Sequence, residues 1–202
     1  MTAKGEVAIG KAFVHHKSFS RAILLCAAFL LPVAANGQSG EDRSAKISGD
    51  AFVRAFLSDC ATSIGDYDRI VAASKALGYA ALSEEAKSVP RPQDPNAEFI
   101  GFYAHTGEAA PYALALSKTV MDGQFYTVCY IINPFVNVAE VVAALQPIVQ
   151  TGILENDATA LDQRFRVWFV DEWSKGAYIS LMSGELLESG GAILTLMAPA
   201  KN

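Results

Sequence analysis

Cysteine, histidine and an arginine–tryptophan run are the residues of this 202-residue chain whose types could carry chemistry. Cys60 closes the run FLSDC, and Cys129 sits inside QFYTVCYII. A thiolate can act as a nucleophile or a metal ligand, and two thiols can close a disulfide. A redox-active pair would stand close in sequence as Cys-x-x-Cys, and zinc would need further soft ligands that the chain does not place nearby. A structural disulfide between Cys60 and Cys129 is therefore expected, stabilising through the long loop it closes.

The chain has three histidines, and two of them, His15 and His16, fall in the N-terminal segment. Any Ser-His-Asp or Cys-His mechanism would then rest on His105, in the turn sequence AHTGEA. No Gly-x-Ser-x-Gly elbow accompanies it, and Met182-Ser183-Gly184 lacks both the first glycine and the strand-to-helix context. An exposed turn histidine is expected, with a hydrolase using His105 as the alternative.

The run RFRVWFVDE alternates, with Phe165, Val167 and Phe169 on one face and Arg164, Arg166, Trp168, Val170 and Glu172 on the other. Two arginines beside a tryptophan could bind an anionic or aromatic ligand, and Tyr178 on the next strand could extend that surface. The alternative is cross-strand salt bridges beside a partly covered Trp168, with the phenylalanine face taken as the core side. Asp171 and Glu172, adjacent on the strand, would point to opposite faces and could not share a substrate atom. Glu155, Asn156, Asp157 and Asp162 cluster in TGILENDATALDQ, but their spacing does not fit a calcium loop, so a solvated acidic loop is expected and no metal or cofactor is assigned.

These residues need elements to position them. Asp50 is expected to cap a helix over AFVRAFLSDC, which places Phe52, Phe56 and Cys60 on one face at i, i+4 and i+8. Asp66 caps a second helix over YDRIVAASKAL, with Ile70, Ala73, Ser74 and Leu77 as the buried stripe and Gly78 as the left-handed terminator. Ser83 would cap a short turn at Glu84 and Glu85. The prolines at 90, 92 and 95 mark a loop. Strand-like runs follow at Phe99–Ala104, Tyr112–Lys118 and Gln124–Ile132. VNVAEVVAALQPIV then has helical spacing, limited to about three turns by Pro147. RFRVWFVDE, AYISLM and AILTLMA complete the chain as strands. The order ααβββαβββ without βαβ units predicts an α+β fold: a mostly antiparallel sheet of about six strands with helices packed on one face. QFYTVCYII is apolar at even and odd positions alike, which predicts a central strand covered on both sides.

The first 21 residues are basic and run into the apolar stretch Ala22–Leu31, followed by small residues at Val33 and Ala35. These are the three parts of a secretory signal peptide with cleavage after Ala35, and the apolar stretch is about half the roughly 20 residues a membrane-spanning helix needs. The expected organisation is a leader at 1–35, a flexible arm at 36–48 and a single domain at 49–202. The whole chain carries a net charge of −5, and the leader takes Lys4, Lys11, Lys17 and Arg21 with it against Glu6 alone, so the remainder is more acidic still. That balance argues against nucleic acid and anionic membrane surfaces and leaves room for a basic protein partner.

FLSDC followed by GDYDRI and LGY, a strand ending VCY, then RFRVW and a closing AILTLMAP resembles a loosely defined family of small exported proteins of Gram-negative bacteria. The resemblance spans the chain from about Phe52 onward and implies an exported compartment and the cysteine pair, without a catalytic residue. The expectation is an exported, disulfide-stapled, non-catalytic binding protein of the periplasm or extracellular medium. The alternatives are a hydrolase of unfamiliar type and a purely structural envelope component.

Overall fold

Ser48, not Asp50, caps the first helix: its Oγ accepts the Ala51 N–H at 3.2 Å. The computed structural model describes residues 47–87, 97–104, 112–160, 163–184 and 191–201. The expected leader, its cleavage point, His105 and Asp162 lie outside these residues. Two residues assigned to the arm belong to the domain, because Ile47 is buried in the core and Ser48 supplies the cap. Asp50 sits in the first turn and pairs with Arg54 one turn on.

Helix α1 (Gly49–Phe56) runs directly into a π turn, Leu57–Ala61. Phe52, Phe56 and Cys60 are all fully buried along this path, as the i, i+4, i+8 spacing requires. Each phenylalanine contributes on the order of 2–3 kcal/mol through burial. Helix α2 (Tyr67–Ala76) starts at Asp66, whose carboxylate accepts the Arg69 N–H at 3.0 Å, and closes at Gly78 with φ +74°. Its buried stripe is Tyr67, Ile70 and Ser74, at i, i+3 and i+7. Leu77 is 64% exposed because the helix ends before it, and Ala73 faces solvent.

The remaining elements are β1 (Ala80–Ala81), α3 (Glu84–Lys87), β2 (Phe99–Ala104), β3 (Tyr112–Met121), β4 (Gln124–Asn133), α4 (Val138–Val149), β5 (Ile153–Ala160), β6 (Gln163–Phe169), β7 (Tyr178–Ser183) and β8 (Ala192–Pro199). The architecture is α+β, with one antiparallel sheet ordered β1-β2-β3-β4-β8-β7-β6-β5. It has eight strands among the described residues where about six were expected. One addition, β1, is two residues long. The other, β5, occupies the stretch expected to be an acidic loop; as an edge strand exposed along most of its length, it shows no apolar alternation to betray it. Asp122 and Gly123 join β3 to β4 with φ of 50° and 78°, the positive values that a two-residue hairpin needs. Strand β6 ends at Phe169, so Asp171 and Glu172 lie in a turn, where Asp171 accepts the Gly176 N–H at 2.8 Å.

Cross-strand register sorts the side chains into rows. On one face run Leu116, Cys129, Leu196, Ile179, Trp168 and Leu154, and beside them Leu114, Ile131, Leu194, Leu181, Arg166 and Asp157. The buried residues of α1, α2 and α4 close over these rows to form the core. Gly49 lets α1 approach α4, since a Cβ there would come within 2.4 Å of Glu140 atoms. The alternation read along β6 holds, but the sides are reversed: Arg166 and Trp168 are on the helix side, while Phe165, Val167 and Phe169 face the other way. Both faces of this strand carry large apolar residues, so its own pattern could not say which face the helices cover.

Cys60 in the π turn and Cys129 in β4 form a disulfide with Cα atoms 5.6 Å apart. It fastens the helical layer to the middle of the sheet. Closing a 69-residue separation restricts the unfolded chain by roughly 4 kcal/mol in the chain-entropy model. The double variant Cys60→Ser/Cys129→Ser should therefore lower the thermal midpoint by roughly 10 °C, at about 2–4 °C per kcal/mol for a chain of this size. Circular dichroism melts of the two proteins check this, and equal midpoints would contradict it.

Candidate functional site

At the end of the row that closes with Trp168 and Leu154, the sheet faces α4. Val142, Leu145 and Val149 of α4 face Leu154, Trp168 and Leu181 of the sheet across an open groove of about 250 Å³. Gln146 and Gln150 stand at its polar rim. The groove opens toward β5, the edge of the sheet, where Leu154 is 51% and Ile153 70% exposed. This groove is apolar, with amide groups at its margin, and no ionisable side chain lines it.

One step along the same face, the ion cluster begins. Arg164 donates from Nε and Nη2 to the two carboxylate oxygens of Asp157, both at 2.8 Å. Arg166, only 8% exposed, brings its Nε to 4.0 Å of the same carboxylate. The hydrogen bonds from Arg164 hold the Asp157 carboxyl below its usual range, outweighing the opposing effect of burial, and the charges of both arginines add to this. Arg164, Arg166 and Trp168 thus share one strip, as their spacing predicted. The arginines meet a carboxylate of β5, and the strip continues the core rather than forming an outward surface.

Tyr178 is not part of this strip. It lies on the opposite face of the sheet, against Phe169, with ring centroids 4.3 Å apart. Of the acidic group Glu155, Asn156, Asp157 and Asp162, the first three lie on β5 around a bulge between Leu154 and Asn156. Among the described residues no group of three His, Cys, Asp or Glu side chains is placed to hold a metal ion.

A second cluster escaped notice in the sequence. Asp59, in the π turn beside Cys60, accepts hydrogen bonds from the hydroxyls of Tyr112 at 2.5 Å and Tyr79 at 3.4 Å. Burial pushes the Asp59 carboxyl above its usual range, and the hydrogen bonds from Tyr112, Ser58 and Tyr79 only partly offset it. The Tyr112 hydroxyl is driven strongly upward, first by burial and then by its bond to Asp59, so it remains a donor. The available signal was Asp59 itself, three residues after Phe56 and seven after Phe52, an acid on the core stripe. π turns often mark functional sites. Here the turn aims a carboxylate at two tyrosines that satisfy it, a structural tie between the first helical segment, β3 and the end of α2.

No helix among the described residues is long and apolar enough to cross a membrane. In comparisons with known proteins the chain matches no family model, no curated protein and no solved structure.

The Asp59 cluster has a pH signature of determinate sign. A carboxyl whose folded pKa lies above its unfolded value of about 3.9 binds its proton more tightly in the folded state. Its contribution to stability is full below that value and is lost as pH rises through the folded one. Asp59→Asn removes this dependence. Urea unfolding of both proteins across about pH 4 to 7 should show the wild-type advantage shrinking as pH rises; an advantage that grows with pH would contradict the assignment.

Proposed function

We propose that this protein is an exported, non-catalytic binding module of the bacterial envelope, and that it takes an extended, basic segment of a partner protein along β5. The observation that carries this is the pairing of an eight-residue edge strand with an adjacent apolar groove. An edge strand offers a line of backbone donors and acceptors to an incoming strand, which gains affinity from main-chain hydrogen bonds and specificity from side-chain pockets. The groove beside Trp168 is the pocket for an apolar side chain of that strand. Glu155 on β5, in a chain of net charge −5, favours lysine or arginine at the facing position, while Asp157 is held by Arg164 and Arg166. The disulfide, the three-part leader and the resemblance to small exported proteins support an oxidising compartment.

The test uses a synthetic peptide alternating valine with lysine and its alanine–glutamate counterpart, read by fluorescence polarisation. The basic peptide should bind and the acidic one should not, with affinity falling at least tenfold between low and high salt. Leu154→Asp, at a half-exposed position, should abolish binding, with the unfolding midpoint measured alongside to show that the fold is kept. Equal binding of both peptides, or binding unaffected by Leu154→Asp, would defeat the proposal.

A further inference from the structure

At one corner of the sheet, aromatic rings lie inside a rim of carboxylates. Tyr178, Phe169 and Ile153 follow one another across β7, β6 and β5, on the face opposite the row of Ile179, Trp168 and Leu154. Met197 borders Tyr178 on its other side, next to Val128, and Tyr126, two residues before Val128, points the same way. Tyr178 and Phe169 pack with ring centroids 4.3 Å apart at a tilt of 51°. The rings are half-buried and Ile153 is exposed. Three separate elements supply the rim: Asp122 at the tip of the β3–β4 hairpin, Glu155 at the bulge of β5, and Asp171 in the turn between β6 and β7. The Tyr178 hydroxyl is pushed above its ordinary range, first by burial and then by Tyr126, Asp171, Glu155 and Asp122, so all three carboxylates act on this one ring. Glu172 and Lys175, both exposed in the β6–β7 turn, add one charge of each sign.

We propose that this corner is a cation site whose occupant is an arginine side chain of the basic partner, at the point where its chain passes Ile153. The occupant rests on the reading of β5 as the acceptor of a basic strand; the chemistry of the corner does not. Carboxylates alone form a solvated rim. Here ring faces lie between them, and a cation within about 6 Å of a ring centroid gains from the ring quadrupole as well as from the charges. Among the described residues no three carboxylates are placed to hold a metal ion, so the span suits a larger, delocalised cation. Guanidinium is such a cation: planar, weakly hydrated, and able to stack on a ring while its N–H groups donate to a carboxylate. Lysine, a compact and strongly hydrated charge, gains less from the rings. Charge complementarity also fixes the face. On the helix side of β5, Asp157 is held by Arg164 and Arg166, so the acidic character that selects a basic partner lies with Glu155 and this corner.

Titration of the isotopically labelled full chain with Nα-acetylarginine amide, followed by amide chemical shifts, tests this. The expected result is saturable shifts around Asp122, Ile153, Glu155, Phe169 and Tyr178, with a dissociation constant on the order of millimolar. Nα-acetyllysine amide should bind more weakly, and the neutral isostere Nα-acetylcitrulline amide at least about fivefold more weakly than the arginine probe. Asp122→Asn, at an exposed position whose positive φ asparagine also adopts, should weaken arginine binding roughly two- to fivefold. Tyr178→Leu, which keeps an apolar side chain but removes the ring face, serves as the second variant, with fold checked by circular dichroism. The absence of saturable shifts, shifts confined to the α4 groove, a lysine or citrulline probe that binds as tightly as arginine, or wild-type binding by Asp122→Asn would each overturn the proposal. Leu154→Asp, on the opposite face of β5, should abolish pairing with the valine–lysine peptide and leave this titration unchanged, so the strand reading and the cation site fail separately.

Discussion

An antiparallel sheet has two faces, and in this protein both are apolar across the central strands. That constraint organises everything else. Helices α1, α2 and α4 cover one face, and the disulfide from the π turn to Cys129 fastens that layer at the middle of the sheet. Along the row Leu194, Leu181, Arg166 and Asp157 the sheet changes from leucine to the Arg164–Asp157–Arg166 cluster. Trp168 stands at that transition, which is why the groove opens there.

The two edges of the sheet are handled differently. At one edge β1 is two residues long, too short to recruit another chain. At the other, β5 is eight residues long and fully developed. Its bulge between Leu154 and Asn156 is a feature that discourages pairing of like edges.

Much of this was legible in the residues. The caps at Asp66 and Ser83, the left-handed Gly78, the Phe52–Phe56–Cys60 stripe and the bounds of β2 follow from local chemistry, which acts over a few residues. The misses have a common physical origin in register and layering, which are decided over long range. Strand β5 was hidden because an edge strand exposed along most of its length owes nothing to alternation. The covered side of β6 was reversed because Phe165 and Phe169 are as apolar as the tryptophan opposite, and only the pairing of Trp168 with Ile179 and Arg166 with Leu181 shows which side meets the helices. Asp59 was readable as an acid on a buried stripe. Its partners, Tyr79 and Tyr112, come from distant parts of the chain, and no spacing rule connects them.

The central claim is that β5 accepts an extended strand at the sheet edge. Amide hydrogen exchange with and without the valine–lysine peptide tests it at the residue level, because an added strand engages backbone groups that water otherwise reaches. The account predicts slowed exchange concentrated in residues 153–160, with the amides of central β4 unchanged. Protection that falls on the helices or the β3–β4 hairpin while β5 exchanges as before would contradict it.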